Sequence, residues 1–172
     1  GREIQSYYVP SETGHKIIYA TKNINIIDFP NFAKYIQQFK SKLEQNSEAK
    51  LGKMVWWRLH RPRSRELFLA PKIVLRQTAD TLYAAVDTVG YYCLNSVIVV
   101  QPENKELVYY LVALLNSKLL RWVYMNLTQE QNRVFAEVKP INLRKLPIRI
   151  LDTSNSNQKI LYNNMVELVQ EI

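Results

Sequence analysis

Pro71-Lys72-Ile73-Val74-Leu75-Arg76-Gln77-Thr78, followed after Ala79-Asp80-Thr81 by Leu82-Tyr83-Ala84-Ala85-Val86, is the stretch that decides the fold. Both runs are short, rich in β-branched or aromatic residues, and flanked by turn-forming ones, which is the pattern of a strand. Asp87-Thr88-Val89-Gly90 then leads into a longer run of the same kind, Tyr91 to Val100. Connections this short cannot carry a parallel crossover, so neighbouring strands must run antiparallel. The spacing predicts a meander over 72–78, 82–86 and 91–100 rather than βαβ units.

Downstream of these strands the apolar period changes. Leu107, Leu111, Leu114 and Leu115 predict a helix over 105–115, and Leu119, Leu120 and Val123 a second one from near Ser117. After a polar, turn-rich passage over 152–157, Leu161, Met165, Leu168 and Ile172 fall at i, i+4, i+7 and i+11 and predict a last helix. Its stripe serves either its own domain or a neighbour. Upstream, Lys16 to Ala20 and Met54 to Leu59 read as further strands. Between them Phe32, Ile36, Phe39 and Leu43 read as one face of a helix that starts after Pro30 and ends before Gly52. The sum is an α+β fold: a mixed, largely antiparallel sheet or meander with packed helices and a C-terminal helix. At 172 residues, one domain is expected over 1–150, with a linker and helix over 151–172.

Charge is concentrated within this plan. The window from Lys53 to Arg76 holds Lys53, Arg58, Arg61, Arg63, Arg65, Lys72 and Arg76 against one acid, Glu66, a net +6 of the chain's +8. Five of the seven cations are Arg, whose planar fork suits phosphate and the guanine edge better than an ammonium does. Arg61-Pro62-Arg63-Ser64-Arg65 has no apolar residue except Pro62 and is expected to be an exposed loop, either a solvated charge run or a phosphate- or groove-contacting one. Trp56 and Trp57 lie in the same window. In a strand they face opposite sides, so one belongs to the core and the other is left to stack, to pack under an Arg, or to lie half-buried.

Several function classes lack their tools. The four glycines stand at 1, 14, 52 and 90, too scattered for a cofactor or phosphate loop. Two histidines, His15 and His60, and one cysteine, Cys93, do not make a zinc site. No two prolines are adjacent, so the Asn-Pro-Pro-Tyr motif of amino-methyltransferases is missing. Glu137-Val138-Lys139 resembles half of a nuclease metal site, but the nearest upstream Asp is Asp87, fifty residues away, and a surface strand or loop accounts for it better. No catalytic residue and no metal ligand is assigned. Cys93 lies in an apolar run and is expected to be a buried, inert thiol, which fits a reducing, cytoplasmic setting. No run of about 18 apolar residues exists to span a membrane. The opening Gly1-Arg2-Glu3-Ile4 reads as cut from a longer polypeptide.

The order of five segments carries a family resemblance: Gly1-Arg2-Glu3-Ile4; Trp56-Trp57-Arg58-Leu59-His60-Arg61-Pro62; Pro71-Lys72-Ile73-Val74; Leu114-Leu115-Asn116-Ser117-Lys118-Leu119-Leu120; Lys145-Leu146-Pro147-Ile148. Over residues 1–150 the chain resembles the TaqI-like C-terminal specificity domain, the target recognition domain of N6-adenine DNA methyltransferases and of fused restriction–modification enzymes. The resemblance implies a module without catalysis of its own that binds double-stranded DNA beside an upstream methyltransferase domain of the same polypeptide. That upstream domain, not this chain, would bind S-adenosylmethionine and flip the adenine. Arg58, Arg61, Arg63, Arg65, Lys72, Arg76 and Trp57 are the expected DNA contacts, while Asn116 and Ser117 match a helix end packed in the core. Base-reading residues differ among members and do not transfer. Two rivals stand beside this reading: a single-stranded nucleic acid or RNA binder with aromatic stacking platforms, and a protein-interaction scaffold docking through its last helix.

Overall fold

A computed structural model describes residues 1–128 and 136–172. The chain forms two compact units: residues 1–14 with 65–172, and the intervening passage 15–64. The first is called here the sheet unit and the second the basic unit.

The basic unit has little regular structure and almost no interior. Ala20 is its one buried residue. Helix α1 (Pro30–Gln37) starts with Pro30, whose fixed φ and missing N–H suit a first turn. The predicted single helix through Leu43 is broken: Phe39 leaves helical geometry at φ −102°, ψ 3°, its N–H bonding Ile36 O at 3.0 Å, and the chain resumes as α2 (Lys40–Leu43). With no core for the Phe32-Ile36-Phe39-Leu43 stripe to enter, nothing enforces one straight axis. Helix α3 (Ser47–Lys50) is capped by Asn46, whose side chain accepts from Glu48 N at 3.0 Å. It ends at Gly52, which takes φ +68°, the left-handed turn that glycine allows.

The two strands predicted here are absent. Residues 15–20 are irregular, and Met54 to Leu59 turns, with Arg58 N donating to Val55 O at 3.0 Å and Leu59 N to Ala20 O at 2.8 Å. Strand propensity needs a ladder to pair with, and neither segment has one.

The sheet unit contains β1 (Lys72–Arg76), β2 (Ala84–Asp87) and β3 (Val97–Val100) in the order β2-β1-β3, both pairs antiparallel. The antiparallel prediction is correct, but β3 crosses to pair with β1, so the sheet is not a simple meander. Only the last four residues of the expected run 91–100 enter the ladder. Cys93 lies outside it, half-buried, with its thiol donating to Tyr91 O at 3.6 Å.

Being central, β1 is buried on both faces. Ile73 and Leu75 face one core with Ala84, Ile98 and the helices, while Val74 faces a second with Ile4, Ala85 and Val97. The first core is closed by α4 (Leu107–Asn116), α5 (Lys118–Thr128), α6 (Pro140–Leu143) and α7 (Ser156–Gln170), through residues such as Val108, Val112, Tyr124 and Val169.

Between α4 and α5 the Asn-Ser signature performs two tasks. Buried Asn116 accepts from Ala84 N at 3.1 Å and donates to Ala84 O at 2.7 Å, pairing the edge of β2 with a side chain. Ser117 Oγ accepts from Leu120 N at 3.1 Å and caps α5.

The last helix forms as predicted but turns another face inward. Val169 is buried, with Tyr162, Met165 and Val166 half-buried, while Leu161, Leu168 and Ile172 are 56%, 62% and 72% exposed. Tyr162 sets this rotation. Its ring lies 5.3 Å from that of Tyr110 on α4 and its hydroxyl donates to Glu106 O at 2.7 Å. Residues 151–172 therefore pack within the sheet unit.

Candidate nucleic-acid interface

The chain's charge separates with its units. Residues 15–64 hold ten Lys and Arg against three acids, a net +7, while the rest of the chain sets thirteen against twelve, a net +1. A field of one sign on a 50-residue unit raises the local concentration of polyanions and speeds their capture.

Four of the predicted contacts lie in the basic unit. Arg61 is exposed, makes no ion pair with any described residue, and takes φ +51°, which is uncommon for a residue with a Cβ and turns the chain ahead of Pro62. Arg63 is half-buried, and its carbonyl accepts the Tyr19 hydroxyl, which anchors the loop. Trp57 and Arg58 brace the unit from within. The Arg58 guanidinium sits 4.9 Å from the Trp57 ring centroid and donates to Ile24 O at 3.3 Å, while Trp57 meets Phe32 edge-on at 6.0 Å. A guanidinium held over an indole keeps its charge while its stem packs, so Arg58 contributes to structure as well as to the field.

The same unit contains a cleft of about 450 Å³ with an almost wholly apolar lining that includes Tyr19, Ile24, Phe29, Asn31, Phe32 and Tyr35. Sequence reading missed it. Its only signal was the density of rings between residues 19 and 35, of which the helical reading used Phe32 alone.

The other three predicted contacts lie in the sheet unit. Arg65 is exposed, just ahead of a single 3₁₀ turn over Glu66–Phe68, and makes no ion pair with any described residue. Arg76 is half-buried at the end of β1, its guanidinium 5.7 Å from the ring of Tyr83. Arg121 reaches the same ring at 5.5 Å and also donates to Ser6 Oγ at 2.5 Å and Asn116 Oδ1 at 3.1 Å. Tyr83 thus supports two guanidiniums; neither it nor Arg121 was singled out from sequence.

Lys72 requires correction as a DNA contact. It has no exposed surface, and its ammonium is ion-paired with the equally buried Asp87 carboxylate while donating to Phe68 O at 2.8 Å. The carboxylate in turn accepts from the backbone N–H of Val89, Gly90 and Tyr91, each at 2.9 Å. Buried charges persist when they are paired and every lone pair is used, as here. Lys72 is a fastener joining the passage before β1 to the loop after β2, out of reach of any phosphate. Asp87, read from sequence only as part of a turn, is the centre of that fastener.

An antiparallel sheet faced on both sides, carrying a strongly basic inserted unit, defines an α+β domain suited to a polyanionic partner. The chain belongs to the TaqI-like C-terminal specificity domain family, which matches residues 1–148 and so takes in the whole basic unit and the sheet but stops short of α7. No curated protein sequence matches the chain. Membership points to DNA recognition in restriction–modification systems. Among the described residues, no helix is long and apolar enough to cross a membrane, and no three His, Cys, Asp or Glu side chains are grouped to hold a metal ion.

Proposed function

We propose that the chain is the sequence-reading, double-stranded-DNA-binding domain of a restriction–modification enzyme that methylates adenine N6, with or without an accompanying nuclease. It carries no catalytic step of its own. S-adenosylmethionine and methyl transfer belong to a companion methyltransferase domain. The observation that carries the reading is the +7 charge of residues 15–64. Phosphate contacts from Arg61, Arg65 and neighbouring lysines position the duplex, and half-buried Arg76, held against Tyr83, is the candidate base reader.

The test is the salt dependence of binding to a duplex of random sequence. With four to six phosphates neutralised, log K falls against log salt with a slope of about −4 to −5. A slope near zero refutes the reading. Base reading is tested separately: Arg76→Ala costs about 1–3 kcal/mol at one base position of the cognate site and little on random DNA. Equal losses on both remove Arg76 from that role.

A further inference from the structure

We propose that the aromatic cleft of the basic unit holds one unstacked nucleobase of the bound DNA. The inference rests on the DNA-binding reading above and adds a site to it. Tyr19, Phe29, Phe32 and Tyr35 supply four rings to the cleft, and Asn31 its only amide. Aromatic faces bind any base by stacking, and an amide can pair with a base edge. At about 450 Å³ the space lies in the range of small-ligand sites, ample for one base.

Phe29 and Tyr35 are about half exposed, so two of the four rings lie uncovered at the cleft, as at an interaction site. The surroundings select the occupant. Lys16, Lys22 and Lys34 stand within two residues of the lining, all exposed and in no ion pair with any described residue. Asp28, beside Phe29, is the one acid on this stretch, and Asn25 Nδ2 donates to it at 3.5 Å. Exposed cations next in sequence to the lining of an apolar pocket fit a ligand with an anionic backbone and a flat, weakly polar head.

The cleft is also braced before any ligand arrives. Arg58 donates to Ile24 O in its lining, and Trp57 fixes Phe32 edge-on, so two residues expected from sequence to touch DNA act from behind the site. A braced platform loses little entropy when a base enters.

The experiment compares binding of the full chain, at one salt concentration, to three duplexes: fully paired, with a single bulged adenine, and with the same bulge lacking its base. The bulged adenine should bind about tenfold more tightly than either of the others. A double substitution, Phe29→Ala with Tyr35→Ala, should bring the three within about twofold of one another while leaving the salt slope unchanged; Phe29→Tyr should keep the preference. Equal affinity for the adenine and baseless bulges overturns the proposal using the unaltered protein alone. So does a preference that survives the double substitution in a variant with an unchanged melting curve. An apolar dye that stays bound in the cleft at saturating DNA would assign it to a protein partner instead. Failure to bind any duplex in a salt-dependent way overturns the DNA-binding reading itself, a result distinct from all of these.

Discussion

Replacing Lys72 by Met separates a structural role from a DNA contact. The substitution keeps the length of the side chain and removes its charge, leaving the Asp87 carboxylate buried with three backbone donors and no counter-ion, and removing the Lys72 donor from Phe68 O. Removing one partner of a buried pair costs about 3–5 kcal/mol, a large share of the roughly 5–15 kcal/mol that holds a domain together. Asp87→Ala should be at least as costly, since it orphans three backbone N–H groups as well as the ammonium. Because the two changes remove one shared interaction, the double variant should lose less than the sum of the singles. Urea unfolding measures all three. Below the unfolding range, Lys72→Met should bind random duplex with an unchanged salt slope, whereas a lost phosphate contact would shift it by about 0.9. A Lys72→Met protein destabilised by less than about 1 kcal/mol and shifted in slope would refute the reasoning and return Lys72 to the interface.

Arg61→Ala and Arg65→Ala should each reduce the salt slope by about 0.9 while moving stability by no more than about 0.5 kcal/mol, as checked by titration and melting of the same samples. Asn116→Ala should cost at least about 2 kcal/mol, because it strips the Ala84 N–H of its acceptor in a buried position; a loss below about 0.5 kcal/mol in urea unfolding contradicts the pairing described. Burial holds the hydroxyls of Tyr110 and Tyr162 above the ordinary tyrosine value of 10.0, Arg149 opposing this at Tyr110 and Glu106 adding to it at Tyr162. The folded state therefore keeps protons that the unfolded chain releases, so this contribution is full below about pH 10 and is lost as pH rises through the folded values. Urea midpoints should fall between about pH 9 and about pH 11, less steeply in Tyr162→Phe; identical slopes would remove Tyr162 from the account.

The elements legible in the sequence were those that carry their own pattern. Strands β1 and β2 lie on either side of a short turn, and α4 and α5 hold dense apolar repeats, so local spacing located all four. Lys16–Ala20 and Met54–Leu59 have the composition of strands but no partner, and pairing is a property of distant segments. The position of β3 beside β1 is likewise non-local.

Charge marked the candidate interface but not which cations are free to serve it. The register Lys72↔Asp87 follows from centring the hairpin between Ala79 and Asp80, so the ion pair could have been found by carrying the strand reading one step further. The inward face of α7 could not, because Tyr162 and Leu161 are equally plausible core residues until Tyr110 is in place. The cleft was hidden for a similar reason: Phe32 was read into a packed helical stripe and Tyr19 into a strand, and only the missing interior shows that neither is packed that way.

The basic unit departs from the sheet unit after Gly14 and returns at Arg65. None of the side chains that form the two cores around β1 comes from between those points. A frame built this way treats the intervening 50 residues as a cassette. Recombination at two junctions can exchange it whole, trading one set of basic and aromatic side chains for another while the frame keeps both cores around β1. The surface charge and the cleft of the cassette, and the cores of the frame, then sit on separate stretches of one gene, free to change at different rates.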